Sequence, residues 1–286
     1  MTASTAHALV ASAGERARAV LAFNVISLEY AEGIVAGAER ASAPVILQFS
    51  ERAIRYHGGA IAPVLGACRE LAATAGVPVA LHLDHFQDPQ LIEQGIGLGA
   101  EHEATSIMLD FSTHAHDENV SLTADYARRA HDAGLWVEAE LGEIGGKDGA
   151  HAPGVRTDPI EAREFVAATG VDGLAVAVGS SHAMTSHSAQ LDLALIAELA
   201  SAVPVPLVLH GSSGVSTAML RDAVAAGIRK VNVGTALSIA FTAAVRDFLA
   251  ANPSASDPRG YLGAARDAIA STVAELAENL SKEHHD

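Results

Sequence analysis

Eight apolar, strand-like runs alternate with longer alanine-rich stretches along the 286 residues, and this alternation limits the possible folds more than any other feature. Strands that alternate with helices form parallel sheets, and eight such units in a chain of this length predict a closed (β/α)8 TIM barrel. An open, doubly wound sheet has the same order of elements and stays an alternative. The predicted strands are Ala19–Val25, Pro44–Ser50, Pro78–Asp84, Thr105–Asp110, Leu135–Leu141, Gly173–Val178, Pro206–His210 and Lys230–Gly234.

The stretches between the strands have the periodicity of helices. Ala, Leu and Ile recur at three- and four-residue spacing, for example in Ile160–Thr169 and Leu191–Ala202. Several of these helices follow a residue whose side chain can cap their first turn. These capping residues are Asp88, Asp158 and Ser216.

No linker rich in Pro, Gly or Ser divides the chain, so we predict one barrel domain over residues 1–286. A C-terminal helix is predicted at residues 258–282. The glycine-rich stretch 142–157 is predicted to be a mobile active-site loop, because irregular loops of this length are uncommon unless they are functional.

Composition narrows the class of partner. Hydrophobic residues make up 49% of the chain but aromatic residues only 4%, as is typical of a parallel α/β core. The net charge of -16 argues against a nucleic-acid partner. Without a signal peptide or an apolar run of about 18 residues, the sequence predicts a cytoplasmic protein with no membrane partner. The single cysteine, Cys68, is predicted to be a buried thiol.

Three histidines each close one of the apolar runs: His85, His182 and His210. Barrel strands deliver their last side chains to one mouth, so these imidazoles can converge. Three imidazoles with an open fourth position are the ligand set of a catalytic zinc, and the sequence therefore predicts a divalent metal. Asp84 precedes His85 and is expected to act as a general base; the alternative is that it orients a ligand histidine.

Other strand ends also carry polar residues, which are costly there unless they face the open mouth. They are Asn24, Ser50, Asp110, Glu140 and Asn232. Glycine-rich turns at residues 211–216 and 232–235 open helices after the last two strands, and such turns form the usual phosphate cradle of this barrel.

These residues lie in segments through which the chain resembles the class II, metal-dependent ketose-bisphosphate aldolases, the family of fructose- and tagatose-bisphosphate aldolases. The match runs in order over essentially the whole chain. The matching segments are Ala22–Val25, Pro44–Ser50, Leu83–His85, Val137–Gly142, Ile144–Gly146, Gly179–His182, Leu209–Gly214, Lys230–Val233 and Asp257–Leu262.

The resemblance implies a zinc-dependent lyase that reversibly cleaves a ketose 1,6-bisphosphate into dihydroxyacetone phosphate and glyceraldehyde 3-phosphate. His85, His182 and His210 match the zinc ligands, and Asp84 matches the group that exchanges a proton with the C4 hydroxyl of the substrate. Zinc would stabilise the enediolate left by cleavage. Two carboxylates match residues near the metal, which in some relatives hold it in a second position: Asp110 and Glu140.

The resemblance also implies where the substrate binds. Asn24 and Ser50 match residues near the substrate, and Arg259 matches an arginine that reaches the second phosphate from a neighbouring subunit. A homodimer or homotetramer is therefore implied. The residues that match the cradle of the dihydroxyacetone-phosphate half are Gly179, Gly211, Ser213, Asn232 and Thr235.

The chain departs from the family pattern at three places. Relatives carry a catalytic Glu soon after the Gly-Gly pair, where Asp148 is the predicted replacement, His151 an alternative, and a solvated loop without a catalytic residue a third possibility. Ala183 replaces the usual Gly beside a phosphate or monovalent cation. Gly234 stands where many fructose-type enzymes carry Asp and tagatose-type relatives a small residue.

Three other functions remain open from the sequence. The chain resembles aldolases in general, so its substrate could instead be another sugar phosphate, such as a phosphorylated deoxy-keto sugar acid. Three histidines alone also suit a zinc hydrolase. A barrel that has lost the loop acid would bind metal and sugar phosphate as a sensor without catalysis.

Overall fold

Eight parallel strands pair in sequence order, and β1 pairs with β8, so the sheet closes into a barrel. The computed structural model describes residues 4–101, 104–141, 156–180 and 189–281. Closure confirms the predicted (β/α)8 fold and excludes the doubly wound sheet. The strands are β1 (Val20–Asn24), β2 (Val45–Ser50), β3 (Val79–Phe86), β4 (Ser106–Leu109), β5 (Trp136–Glu140), β6 (Gly173–Ala175), β7 (Leu207–Leu209) and β8 (Ile228–Val233).

Helices follow the strands and form the outer layer of the barrel. A 3-10 helix, Ser212–Gly214, follows β7. The α-helices in the described parts of the chain are α1 (Ala6–Glu15), α2 (Leu28–Arg40), α3 (Glu51–Tyr56), α4 (Ala62–Thr74), α5 (Pro89–Ala100), α6 (His116–Asp132), α7 (Pro159–Thr169), α8 (Leu193–Ala202), α9 (Thr217–Ala226), α10 (Thr235–Ala251) and α11 (Pro258–Ser281).

Side-chain capping explains where several helices begin. Asp88, Asp158 and Ser216 each accept a backbone N–H of the first helical turn, which confirms their predicted role. The helix predicted to start at Leu191 begins two residues later, because Asp192 is its cap and accepts the Leu195 N–H at 3.0 Å.

The sixth strand is shorter than predicted, ending at Ala175 instead of Val178. Its backbone still follows β7, since the Val176 N–H donates to the Val208 carbonyl at 3.2 Å. The residues beyond Ala175 therefore extend beside the barrel mouth without a regular ladder.

Helix α1, which no sequence pattern predicted, closes the amino-terminal end of the barrel. Its residues Ala6, Leu9 and Val10 share one buried cluster with strand residues on the interior face. Those strand residues alternate with the ones that pack against the outer helices, as the period of a strand requires. With one end plugged, the carboxyl ends of the strands form the open mouth. The interior strand residues of the cluster are Val20, Ala22, Ile46, Ala80 and Trp136.

Helix α11 packs closely on α2 at glycines of α2. A Cβ at Gly37 would lie 2.5 Å from the Ala270 carbonyl oxygen and 2.7 Å from the Val273 Cβ. Because one of these neighbours is backbone, we expect Gly37→Ala to lower the free energy of unfolding by about 1–3 kcal/mol. Urea unfolding measures this change.

A second glycine provides the control. Gly66 lies within α4, and a Cβ there would meet nothing within 4 Å. Gly66→Ala should therefore stabilise the protein by about 0.4–1 kcal/mol through lower entropy of the unfolded chain. Equal effects of the two substitutions would contradict the close packing of α2 on α11.

Cys68 is a free, buried cysteine in α4, as predicted. Burial raises the pKa of its thiol to about 12, so the reactive thiolate is scarce at neutral pH. No helix within the described ranges is both long and apolar enough to cross a membrane.

Candidate active site

The end of β3 brings two consecutive side chains to the mouth. In a regular strand, Asp84 and His85 would point to opposite faces. His85 instead has a φ of 55°, and the pairing of β3 with β4 shifts register between Leu83 and Phe86. This bulge turns the imidazole toward the side of its neighbour, so that Asp84 Oδ1 lies 4.0 Å from His85 Nε2.

Three residues from different strands converge beside Asp84. His85, Glu140 and His210 each offer a ligand atom, and these atoms all lie within 4.8 Å of one another. Glu140 ends β5 and His210 follows β7; both are buried, while His85 is partly exposed. The structure therefore brings together two of the predicted metal histidines and one of the predicted carboxylates.

The hydrogen-bond partners of the two histidines show where their protons lie. His85 Nδ1 is 2.8 Å from Asp110 Oδ2, and His210 Nε2 is 3.0 Å from Glu138 Oε1. A carboxylate accepts an N–H, so the protons sit on these two nitrogens and the lone pairs sit on the others. Those other nitrogens, His85 Nε2 and His210 Nδ1, face each other at 3.0 Å.

With the protons on the outer nitrogens, the two inner lone pairs face each other, and a proton or a metal cation at this point would relieve their repulsion. Burial lowers the pKa of His210, which keeps the ring neutral and able to bind a metal. Neutral imidazoles held by carboxylates, with a third carboxylate nearby, form a donor set that suits zinc. The residues present therefore fit the metal that the sequence predicts.

Asp110, which the sequence predicts near the metal, contacts the outer nitrogen of His85. Its Oδ2 accepts from His85 Nδ1 and, at 3.2 Å, from Gln87 Nε2, while its Oδ1 accepts the Ser112 hydroxyl at 2.6 Å. Both oxygens are engaged, and Asp110 is not among the residues whose ligand atoms converge. Its geometry is that of a group that orients His85.

A buried ion pair supports His210 from inside the barrel. Glu138 Oε2 accepts from Lys230 Nζ at 2.8 Å, and both side chains are fully buried. Burial alone would raise the pKa of Glu138, but the Lys230 ammonium and the bond with His210 hold it below its ordinary value. Glu138 is therefore ionised and able to accept the His210 proton.

Asp84 is prepared to act as a base. It is 2% exposed, and burial tends to raise its pKa, but the nearby His85 and His210 bring the pKa below its ordinary value. Asn24 Nδ2 donates to Asp84 Oδ2 at 2.9 Å, and Gln48 Nε2 in turn donates to Asn24 Oδ1 at 3.0 Å. Within the described parts of the chain Asp84 Oδ1 has no hydrogen-bond partner, which leaves it available to a substrate hydroxyl.

The two glycine-rich turns meet at the mouth. Gly211 has a φ of 65° and precedes the 3-10 helix, and the Ser213 hydroxyl accepts the Ala236 N–H at 3.2 Å. Thr235 is the first residue of α10, and the positive end of a helix dipole favours an anion. Gly179, with a φ of 115°, follows β6. A hydrogen bond therefore joins the two turns at the barrel mouth.

The remaining predicted site residues lie in different settings. Ser50 pairs with Asp84 in register and caps α3 through a 3.2 Å bond from the Ala53 N–H. Arg259 begins α11, where its largely exposed side chain pairs with Asp257 at 3.0 Å. The following predictions lie outside the described residues: His182, Asp148, His151, Ala183 and most of the loop 142–157.

The sequence did not predict the polar residues that lie in the barrel interior, below the site. Glu138 and Lys230 stand two positions before Glu140 and Asn232, and His82 stands two before Asp84. Residues two apart in a strand share a face, so a second polar residue at that spacing was an available signal. Gln87 lies beyond the bulge and carried no such signal.

A closed barrel with converging imidazoles and carboxylates at the carboxyl ends of its strands defines an enzyme with a candidate metal centre. The family described as "Fructose-bisphosphate aldolase class-II" matches residues 4–285. A fructose-bisphosphate aldolase from Geobacillus stearothermophilus is 42% identical over 260 residues, covering 89% of this chain and 88% of its own length.

Two further proteins that are similar to this chain are also aldolases. A probable fructose-bisphosphate aldolase from Bacillus subtilis (strain 168) is 42% identical over 92% of each chain. The crystal structure of the YdjI aldolase from Escherichia coli K12 superimposes with a TM-score of 0.83 at 31% identity, covering 98% of each chain. The chain belongs to the class II fructose-bisphosphate aldolase family, which is metal-dependent.

Proposed function

We propose that the protein is a zinc-dependent aldolase that reversibly cleaves a ketose 1,6-bisphosphate of the fructose or tagatose type into dihydroxyacetone phosphate and glyceraldehyde 3-phosphate. Membership of the family supports the reaction. The observation that carries the metal is the convergence of His85, Glu140 and His210, whose ligand atoms all lie within 4.8 Å of one another.

Zinc would be held by His85 and His210 with His182 as the third ligand, and Glu140 is a fourth donor within reach. When bound, zinc supplies a Lewis acid that polarises the ketose carbonyl and offsets the negative charge that develops as the C3–C4 bond breaks. Asp110 and Glu138 keep the two described rings in the tautomers that turn lone pairs inward.

Asp84 is the base in this proposal. Its Oδ1 takes the proton of the C4 hydroxyl, and the electron pair of that O–H bond becomes the aldehyde carbonyl as C3–C4 breaks. Asn24 holds the other carboxylate oxygen and so fixes the direction of Oδ1. A second acid must return a proton to C3, and Asp148, with His151 as the alternative, is proposed for it.

The cradle formed by Gly179, Gly211, Ser213 and Thr235 is proposed to hold the phosphate of the dihydroxyacetone-phosphate half through backbone N–H groups and hydroxyls. This matters because a chain of net charge -16 otherwise repels an anionic substrate. Asn232, Ser50 and Asn24 are proposed to contact the sugar. A phosphorylated substrate also supports a cytoplasmic location.

Gly234 favours the tagatose-type branch. A Cβ at this position would lie 2.8 Å from Asn24 Oδ1. The missing side chain therefore lets Asn24 occupy the space beside β8 while it bonds to Asp84. An aspartate at position 234 would have to displace that amide, so the two branches are expected to present different polar groups to C4.

A homodimer or homotetramer is also part of this proposal. The Arg259 side chain is largely exposed, and it is proposed to bind the second phosphate of a substrate held by a neighbouring subunit. Exposed apolar residues around the ends of β1, β2 and β8 offer a surface for such a contact. They are Ile26, Leu28, Tyr56 and Ile239.

A substrate panel tests the proposal. The zinc-loaded protein would be given fructose 1,6-bisphosphate, tagatose 1,6-bisphosphate and a phosphorylated deoxy-keto sugar acid, with dihydroxyacetone phosphate measured by enzymatic reduction. We expect release from a bisphosphate, with tagatose 1,6-bisphosphate having the higher kcat/KM. Release only from the sugar acid would correct the substrate, and ester or amide hydrolysis without dihydroxyacetone phosphate would overturn the reaction.

A further inference from the structure

Lys230 is a lysine in an unusual place. It lies in β8 with its side chain in the barrel interior and is fully buried. Its Nζ donates to Glu138 Oε2 and to Asn232 Oδ1, both at 2.8 Å. A buried ammonium is unfavourable unless it is paired, and an apolar residue would fill the same space at lower cost. The two bonds therefore need an explanation beyond packing.

The first bond acts on His210. Because the ammonium occupies Glu138 Oε2, the carboxylate presents Oε1 to His210 Nε2 at 3.0 Å. A carboxylate facing a lone pair would be repelled, so the His210 proton is held on Nε2. The lone pair on Nδ1 is then directed at His85 Nε2, where the metal is proposed to bind.

The second bond acts on Asn232. The two ends of an amide have the same shape, and only their partners decide which end is oxygen. An ammonium can only donate, so Lys230 selects the oxygen and turns Nδ2 toward His210, 3.0 Å from Nε2. Nδ2 can only donate, so it competes with Glu138 for His210 Nε2. The charged carboxylate is the stronger partner and keeps the proton on Nε2, which leaves the amide hydrogens for an oxygen of a bound ligand.

We propose that Lys230 is a positioning residue that sets the metal-binding tautomer of His210 through Glu138 and the donor end of Asn232 directly. One cation inside the barrel thereby aligns a metal ligand and a substrate contact. The effect of Lys230 on Asn232 rests on the proposed aldolase function, because it concerns a substrate contact. Its effect on His210 requires only that the site binds a metal ion.

The test replaces Lys230 by methionine, which keeps the length of the side chain and removes its charge. The probe is Co²⁺ alone, bound to the full chain in competition with a chelator of known affinity. We expect Lys230→Met to weaken Co²⁺ binding by about 10–100-fold, as loss of outer hydrogen-bond partners does, and to alter the visible absorption of the bound ion.

Lys230→Met leaves Glu138 buried without its counter-charge, so the variant could lose stability for that reason alone. The double variant Lys230→Met/Glu138→Gln removes that charge and is expected to recover the Tm of the wild type. Its Co²⁺ affinity and spectrum should stay altered, because no ammonium selects which end of the new amide at position 138 faces His210. Asn232→Ala, which cuts only the second bond, should lower kcat and leave Co²⁺ affinity unchanged.

Two results would overturn the proposal. A folded double variant with the Co²⁺ affinity and spectrum of the wild type would show that Lys230 only balances charge. A loss of Co²⁺ affinity in Asn232→Ala as large as in Lys230→Met would show that the two bonds do not act separately. A wild-type protein that cleaves no ketose phosphate, but whose Co²⁺ affinity still falls on Lys230→Met, would contradict the aldolase and support the role of Lys230 at His210.

Discussion

Removal of the metal is expected to abolish aldol cleavage, and added Zn²⁺ or Co²⁺ should restore it. His85 and His210 are positioned by Asp110 and Glu138 before any ion arrives, so the emptied site should reload without refolding. His210→Ala and His85→Ala should lose both metal and turnover, and excess zinc should not rescue them. Dialysis against a chelator removes the metal, metal analysis gives the metal content of each protein, and the dihydroxyacetone-phosphate assay gives the rate of cleavage.

His116→Ala is the matched control, because His116 is an exposed histidine at the start of α6. It should bind metal and turn over like the wild type. If a chelator strips the ion while cleavage continues at the original rate, the metal-dependent mechanism is wrong for this protein.

Asp84→Asn should lower kcat for cleavage by about 10²–10⁴-fold, the usual effect of removing a positioned general base. The amide keeps the shape of the carboxylate but cannot accept the C4 proton. Since the pKa of Asp84 lies below its ordinary value, the base is ionised at neutral pH, and its loss by protonation should appear only in acid. Steady-state kinetics with the preferred bisphosphate measure the change.

A second measurement separates the base from a residue that merely supports the metal. Asp84→Asn should keep the metal content of the wild type and still exchange tritium between water and C3 of dihydroxyacetone phosphate, because that exchange uses the other acid. Asp117→Asn, at an exposed position on α6, is the control. If Asp84→Asn loses both the metal and the tritium exchange, Asp84 orients His85 and does not act as the base.

The architecture could be predicted from the sequence because each of its determinants is local. Apolar runs of strand length, helical periodicity and capping residues such as Asp88 and Asp158 all act over a few residues. Polar residues at the ends of such runs pointed to the mouth for the same reason. These features predicted that Asp84, His85 and His210 meet at the mouth, where the structure has them.

The spacing of Glu138 and Lys230 hinted at their shared face with site residues, but their pairing could not be predicted because it depends on closure of the barrel. Glu138 and Lys230 are 92 residues apart in sequence and belong to strands that do not pair, so no local pattern joins them. A lone lysine in an apolar run is equally consistent with a strand edge. Only the curvature of the complete sheet brings the two side chains together across the interior.

The roles of the carboxylates were also beyond the sequence. Asp110 follows β4 and bonds to the outer nitrogen of His85, whereas Glu140 ends β5 and is one of the residues whose ligand atoms converge. The register shift between Leu83 and Phe86, which accompanies the turned side chain of His85, is equally hidden in the sequence. A bulge of this kind has no signature in residue type when the residue with positive φ is a histidine.

The left-handed backbone at His85 has a consequence for anyone who redesigns this catalyst. A non-glycine residue there costs roughly 1–2 kcal/mol, which the ladders of the neighbouring strands must offset. The proposed base, Asp84, and the proposed metal ligand, His85, are adjacent on one distorted peptide, so neither can be relocated alone. New acceptor aldehydes are therefore better sought by remodelling the rim around position 234 than by adjusting the dipeptide on which both chemical steps depend.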